Sequence, residues 1–190
     1  QSLERYRLEP YIQDFADFSN MKGKCVLEVG VGLGADHQSF AENEAVLFGV
    51  DLTERAIEHT KKRFAIFSLH SNLSVDDAEK LSFEDNVFDV VYSWGVIHHS
   101  PNTPKAISEI LRVLKPGGKA KIMIYHKWSM IGLMLWIRYA LLLLRPLTPL
   151  SEIYSKYLES PGTKAYSIQE GYELFSDFSD VSVKTVLTHG

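Results

Sequence analysis

The chain has 190 residues, 45% of them hydrophobic and 23% charged, with a formal net charge of −4 at neutral pH. That length fits one domain able to bury a core without metal or disulfide staples, and the weakly acidic balance lacks the basic stripe that nucleic acid selects. The single cysteine, Cys25, stands in an apolar run with no internal partner, which predicts a buried thiol in a reducing, cytoplasmic compartment.

Leu3, Tyr6, Tyr11, Ile12, Phe15 and Phe18 recur at roughly helical spacing and predict a lead-in helix over residues 2–19 rather than a signal peptide. A short apolar run at 24–29 predicts a strand ending at a glycine, followed by a helix over 35–43 and a second strand over 45–50. Thr53 is placed to cap a helix carrying Ile57 and Phe64 on one face. Residues 73–75 predict a short third strand, and 88–94, nearly continuous in apolar and aromatic side chains, a strong fourth. A helix over 103–114 shows Ala106, Ile107, Ile110, Val113 and Leu114 on its apolar face and stops at Pro116-Gly117-Gly118. Residues 119–125 then predict a fifth strand. Short apolar strands separated by helices require a parallel sheet covered on both faces, so the fold class is α/β, doubly wound.

The rhythm changes at residue 127. Residues 130–144 are almost wholly apolar, but a bilayer span needs about 20 such residues, and this run is shorter and contains Arg138. Its expected place is core packing against the lead-in helix or a second subunit. With Trp128, Trp136 and Tyr139 it could also form a lid over a greasy pocket. Helices follow over 151–158 and 168–178, and 181–187 alternates like a sixth strand. The chain opens on Gln1 rather than Met and closes at Gly190 after an apolar run, so both ends are expected to be cuts in a longer protein.

Val26-Leu27-Glu28-Val29-Gly30-Val31-Gly32-Leu33-Gly34 runs from a strand through a glycine-rich turn toward a helix. Glycines there permit positive φ and close approach of a ligand to the backbone. Gly30, Gly32 and Ala35 also satisfy the GxGxxG/A pattern of dinucleotide sites, with Asp51 near the expected distance, so a nicotinamide oxidoreductase stays open at this point. Glu28 is a carboxylate in an apolar strand and needs a partner: a cationic ligand group, or a nearby Lys or Arg. Asp51 can accept from both hydroxyls of a ribose or serve the N-terminus of the following helix. Leu52 can pack on a base, and an acid after the third strand can accept from an adenine amino group.

These segments, in this order, resemble the class I S-adenosylmethionine-dependent methyltransferases of the small-molecule type related to ubiquinone and menaquinone biosynthesis. The resemblance runs over residues 23–125. It rests on the glycine run, Gly49-Val50-Asp51-Leu52, Asp77-Ala78-Glu79 before Leu81, Phe88-Asp89-Val90-Val91-Tyr92-Ser93-Trp94, His98-His99, and Leu111-Arg112-Val113-Leu114-Lys115-Pro116-Gly117-Gly118. It implies a Rossmann-like sheet binding S-adenosylmethionine. Gly30, Gly32 and Gly34 would wrap the methionine part, Glu28 would lie near its ammonium, Asp51 would hold the ribose, and Asp77 and Ala78 the adenine edge. Ser93 and Trp94 would line the other side. It also implies one domain, 1–190, with a lead-in helix (1–20), a cofactor-binding core (21–126), a helical insertion (127–166), and a last helix and sixth strand (167–190) ending before the family's seventh.

Methyl transfer from a sulfonium needs alignment and exclusion of water more than an acid–base pair. His98 and His99 are the candidate bases should the acceptor have to lose a proton. Tyr125 and His126 are further substrate contacts. No Asp, Glu or Cys stands at metal-ligand spacing from the histidine pair, so no metal is expected. The acceptor is read as a small molecule, apolar if the 130–144 segment shapes its pocket. A cofactor-binding protein without turnover remains the alternative from a different class.

Overall fold

A computed structural model describes residues 2–187, with side chains from Glu4 onward. Five strands, β1 (Cys25–Val29), β2 (Val46–Asp51), β3 (Asn72–Val75), β4 (Phe88–Trp94) and β5 (Leu114–Met123), form one sheet in the order β3-β2-β1-β4-β5. Every pairing is parallel, as crossover connections require; helices make three of the crossovers, and a helix-free stretch over 76–87 makes the one from β3 to β4. The chain builds outward from β1 in one direction through β3, then returns to place β4 on β1's other side. This reversal opens a crevice beyond the carboxyl ends of β1 and β4, where open α/β sheets take their ligands.

Alternation along the inner strands sends side chains to two cores. Leu27, Val29, Val50 and Val91 meet Ala106, Ile107, Ile110 and Val113 of α5 (Thr103–Val113) on one face. Val26, Leu47, Val90 and Tyr92 meet Phe40 of α3 (Ala35–Glu42), Phe64 of α4 (Glu54–Ile66) and the lead-in residues Ile12, Ala16 and Phe18 on the other. The doubly wound expectation therefore holds. Thr53 caps α4 as expected, its hydroxyl accepting from Ala56 N at 3.3 Å.

The lead-in is not one helix. Pro10, which cannot donate a backbone hydrogen bond, separates α1 (Ser2–Leu8) from α2 (Tyr11–Ala16), and Asp17 in the left-handed region (φ 59) ends the latter. Pro116-Gly117-Gly118 does more than stop α5. β5 already pairs at Leu114 with Phe88, and the ladder resumes only at Lys119 with Val90, so these residues form a bulge inside the strand.

Two expectations are corrected. Residues 181–187 make no strand: alternation needs a ladder partner, and no described strand lies beside them. Residues 130–144 are not core. The run forms α6 (Met130–Trp136) and a π-helical turn, Ile137–Leu141, and only Gly132 and Ala140 within it are buried. The neighbouring α7 (Leu150–Tyr157) touches one side only, and Leu142 and Leu144 stand 70% and 90% exposed. The last helix, α8 (Ile168–Leu174), is shorter than expected and opens on a capping box between Ser167 and Glu170. Among the described residues no helix is long and apolar enough to cross a membrane.

Candidate functional site

At the end of β1 the chain turns back on itself. Gly30 N and Val31 N both donate to Val50 O, at 2.8 and 3.1 Å, which binds the loop to the tip of β2. The turn needs glycine where it is sharpest. Gly30 has φ 86, and a Cβ there would lie 2.3 Å from Val96 Cγ2. Gly34 (φ 72) starts α3, and a Cβ there would strike Thr60. Gly32 differs: a Cβ would meet nothing within 4 Å, so its backbone borders open space. Gly32 N instead donates to Asp51 Oδ2 at 3.1 Å, while Asp51 Oδ1 accepts from Thr53 N and Thr53 Oγ1 at 3.0 and 2.9 Å. Loop and helix start thus fix the Asp51 carboxylate between them, and Oδ2 keeps a lone pair for one further donor. Leu52 beside it is 71% exposed.

The third segment is held from behind. Asp76, not Asp77, organises the turn after β3, accepting from Asp77 N, Ser82 N and Ser82 Oγ. Asp77 is exposed, its Oδ1 accepting from Glu79 N at 2.9 Å, and Ala78 packs partly against the core. Glu79 reaches across to the loop after β4, accepting from Ser100 Oγ at 2.5 Å and Asn102 N at 2.7 Å. These bonds to its ionised form hold the Glu79 carboxyl below its usual range.

Glu28 has a partner that neither sequence alternative named. Its Oε2 lies 2.9 Å from His37 Nδ1, and His37 Nε2 lies 2.8 Å from Ser71 Oγ. Ser71 donates its own hydrogen to Leu47 O at 3.0 Å, so the imidazole must donate from Nε2. That leaves Nδ1 as the acceptor of a neutral ring. Burial pushes the Glu28 carboxyl well above its usual range, with Asp36 adding to the rise, and brings His37 down to about 3. The proton between them therefore rests on Glu28, and no full charge is buried. Gly49 makes space for this pair, since a Cβ there would lie 2.5 Å from His37 Cε1.

A second network escaped the sequence reading. Buried Asp36 accepts from Arg5 Nε and Nη2, both at 3.0 Å, from Tyr6 Oη at 3.0 Å and from Tyr92 Oη at 2.8 Å. It ties α1 to the start of α3 immediately behind the glycine loop. Its members stand far apart in sequence; only a buried acid in a helix's first turn offered a signal.

Ser93 and Trp94 end β4 in different roles. Ser93 is fully buried and donates to Val29 O at 3.0 Å, spending its hydroxyl inside the sheet. Trp94 stacks on Tyr11, centroids 6.0 Å apart, and meets Phe15 edge-on. The 111–118 run is architectural as well. Arg112 donates to Phe83 O and Leu81 O and pairs with Asp85 and Glu109, clamping the loop before β4 onto α5.

His98 and His99 form a 3₁₀ turn with Ile97 after β4. His98 is fully buried, and neither ring nitrogen has a hydrogen-bond partner among the described residues. Burial first, then the charges of His99 and Lys164, bring its imidazole to about 3, too weak for a base near neutral pH. His99 is half-buried and lines a groove of about 920 Å³ between α5, α7 and α8. None of residues 130–144 lines that groove, so the lid expectation gains no support from it. Tyr125 packs on His98 and donates to Glu159, while His126 Nδ1 lies 3.1 Å from Trp128 O.

Comparison with known proteins bears on this arrangement. A phosphoethanolamine N-methyltransferase of Caenorhabditis elegans is 37% identical over 123 residues, covering 61% of this chain and 26% of its own length. A ubiquinone biosynthesis O-methyltransferase of Coxiella burnetii is 32% identical over 99 residues, covering 52% of this chain and 42% of its own. The chain thus spans less than half the length of these relatives. In fold it is similar to the YcgJ protein of Bacillus subtilis, with a TM-score of 0.70 at 20% identity, over 89% of this chain and 67% of that one. Residues 27–122 match the family described as Methyltransferase domain, a stretch that takes in the glycine loop, Asp51 and the Arg112 clamp, and the chain belongs to that family.

Proposed function

We propose that the chain binds S-adenosylmethionine across the carboxyl ends of β1 and β4 and transfers its methyl group to a small-molecule acceptor. The observation that carries this is the Asp51 carboxylate. It is fixed by Gly32 N and Thr53 at the tip of β2, with a lone pair of Oδ2 left for a hydroxyl donor, beside a glycine whose backbone faces open space. The residues present fit the cofactor. Gly30, Gly32 and Gly34 would hold its methionine part, Asp51 the ribose, Leu52 one face of the adenine, and Asp77 and Ala78 its edge. Trp94 would close the far side; Glu28 and Ser93 would act from behind, through the hydrogen bonds they already make.

Bound there, S-adenosylmethionine supplies a sulfonium methyl already activated for displacement. The protein's part is to orient the two reactants and keep water out. His99 is the member of the histidine pair that reaches an open groove, and an acceptor needing deprotonation would be met there. The relatives named above act, by name, on phosphoethanolamine and on a ubiquinone precursor, and we read the acceptor here as a small molecule too. Its apolar character, the absence of nucleic acid as substrate, and a cytoplasmic site of action fitting the lone Cys25 belong to the same reading, as does a single domain spanning 1–190. Calorimetry with S-adenosylhomocysteine and, in parallel, NADH tests the binding half, and release of labelled methyl groups onto candidate acceptors tests the transfer. Affinity for NADH alone, or binding without turnover of any acceptor, overturns the corresponding half.

A further inference from the structure

Beyond β4 and β5 two imidazoles and a carboxylate converge. His98, His99 and Glu159 each offer one ligand atom, and these atoms lie within 4.8 Å of one another. Closeness alone would mean little; the hydrogen bonds around it give it direction. Thr163 Oγ1 donates to Ser160 O at 2.7 Å, so toward His99 Nδ1, 3.0 Å away, it acts as the acceptor. Ser160 Oγ lies 3.1 Å from the same nitrogen, so two hydroxyls hold the His99 ring in place through Nδ1. Its Nε2 faces Glu159 Oε2 at 3.5 Å, an oxygen that accepts from Tyr125 Oη at 2.6 Å.

His98 adds an independent observation. Its ring is fully buried against His99 and Tyr125, at centroid distances of 4.2 and 4.0 Å, with both nitrogens unpartnered among the described residues. A buried imidazole without partners is costly to keep unless a ligand takes its lone pair.

We propose that His98, His99 and Glu159 bind a divalent transition metal ion of the zinc class. Two imidazole nitrogens and one carboxylate suit zinc, whereas magnesium and calcium take oxygen ligands. The Thr163 and Ser160 hydroxyls at His99 Nδ1 are outer-shell contacts of the kind that orient a metal-binding histidine, and the Tyr125 hydroxyl does the same for Glu159. Three protein ligands leave one position for water or a coordinating substrate atom, which the ion would acidify. Spacing along the chain did not reveal the acidic partner of the histidine pair, because Glu159 lies far downstream of it. The site does not rest on the methyltransferase reading and is tested by binding.

The whole chain, stripped with chelator, is titrated with Zn²⁺ by calorimetry and with Co²⁺ by visible absorption. One ion per chain, a tetrahedral cobalt spectrum and no response to Mg²⁺ are the expected results. Glu159→Gln, at an exposed position, weakens zinc binding by roughly a hundredfold while the metal-free thermal unfolding profile stays as in the native chain. His98→Gln removes the tetrahedral cobalt bands. Absence of saturable one-to-one binding, or undiminished affinity in Glu159→Gln, overturns the proposal.

Discussion

On the β1–β2 side of the sheet, the groups that shape the crevice come from short stretches of chain. Gly30, Gly32 and Gly34 follow one strand directly, Asp51 ends the next, and the bonds joining them span the β1–α3–β2 unit. On the β4–β5 side, His98 and His99 meet Glu159, Ser160 and Thr163, which arrive from the far end of the helical insertion. The first region is a local motif docked on a sheet; the second exists only once the insertion has folded back. They are expected to fail separately.

The largest effect is expected where the cofactor reading concentrates its hydrogen bonds. Asp51→Ala removes a charge-assisted bond to ribose, worth about 1.5–3 kcal/mol, together with the anchor of Gly32 N, and should weaken S-adenosylhomocysteine binding by about 300-fold in calorimetry. Thr53 still caps α4, but Gly32 N, Thr53 N and Thr53 Oγ1 lose their acceptor, so the unfolding midpoint should fall by about 2–4 °C. A shift in affinity under tenfold would place the ribose elsewhere.

Next is the support behind the loop. Asp36→Ala leaves the buried Tyr92 hydroxyl without its acceptor and takes the main acceptor from Arg5 and one of several from Tyr6, which keep Glu9 and Ser39. Breaking a buried pair costs about 3–5 kcal/mol, and with Arg5 itself 30% exposed the expected loss is about 3 kcal/mol in urea unfolding. Retained stability would mean that α1 is held by its apolar contacts alone.

These two residues show how much the sequence disclosed. Asp51 was legible because strand end, glycine loop and acid recur at short, fixed distances. Asp36 was not, because its partners lie at positions 5, 6 and 92, and no periodicity links them. The strands followed from apolar runs and the helices from spacing, whereas 181–187 misled because alternation reports a face and not a neighbour. Exposure of 130–144 escaped for a related reason: an apolar run states what it would bury against, not whether anything is there. Glu28 was marked as needing a partner, yet the partner proved to be His37, hidden in a mostly polar helix whose weak apolar periodicity did not mark the histidine as buried.

Gly132→Ala separates the two regions directly. A Cβ there would lie 1.7 Å from Tyr154 Oη, which holds α7 by donating to Lys127 O at 2.5 Å. Overpacking of this kind costs about 1–3 kcal/mol. Hydrogen exchange should rise over residues 127–157 while S-adenosylhomocysteine affinity stays unchanged. A parallel loss of affinity would show the insertion to be part of the cofactor crevice.

The smallest effect per step is a slope, and it probes the Glu28–His37 pair beneath the loop. In the unfolded chain Glu28 releases its proton near 4.5 and His37 near 6.5; in the folded chain burial raises the carboxyl well above that value and lowers the imidazole to about 3. Between 4.5 and 6.5 the pair holds one titrating proton in either state, so its contribution to stability is level. Above 6.5 the folded pair keeps a proton that the unfolded chain has lost, and stability falls as pH rises, by up to about 1.4 kcal/mol per unit. Below 4.5 the unfolded pair binds two protons against one, and stability falls again toward pH 3. Glu28→Gln deletes the carboxyl's share. Measured by urea unfolding from pH 5 to 8, the native protein should therefore lose ground to the variant steadily as pH rises. The slope depends only on the proton count of the pair, whichever atom holds the proton. A level difference would mean that the folded protein leaves Glu28 ionised beside a neutral imidazole, and that the crevice floor carries a buried negative charge.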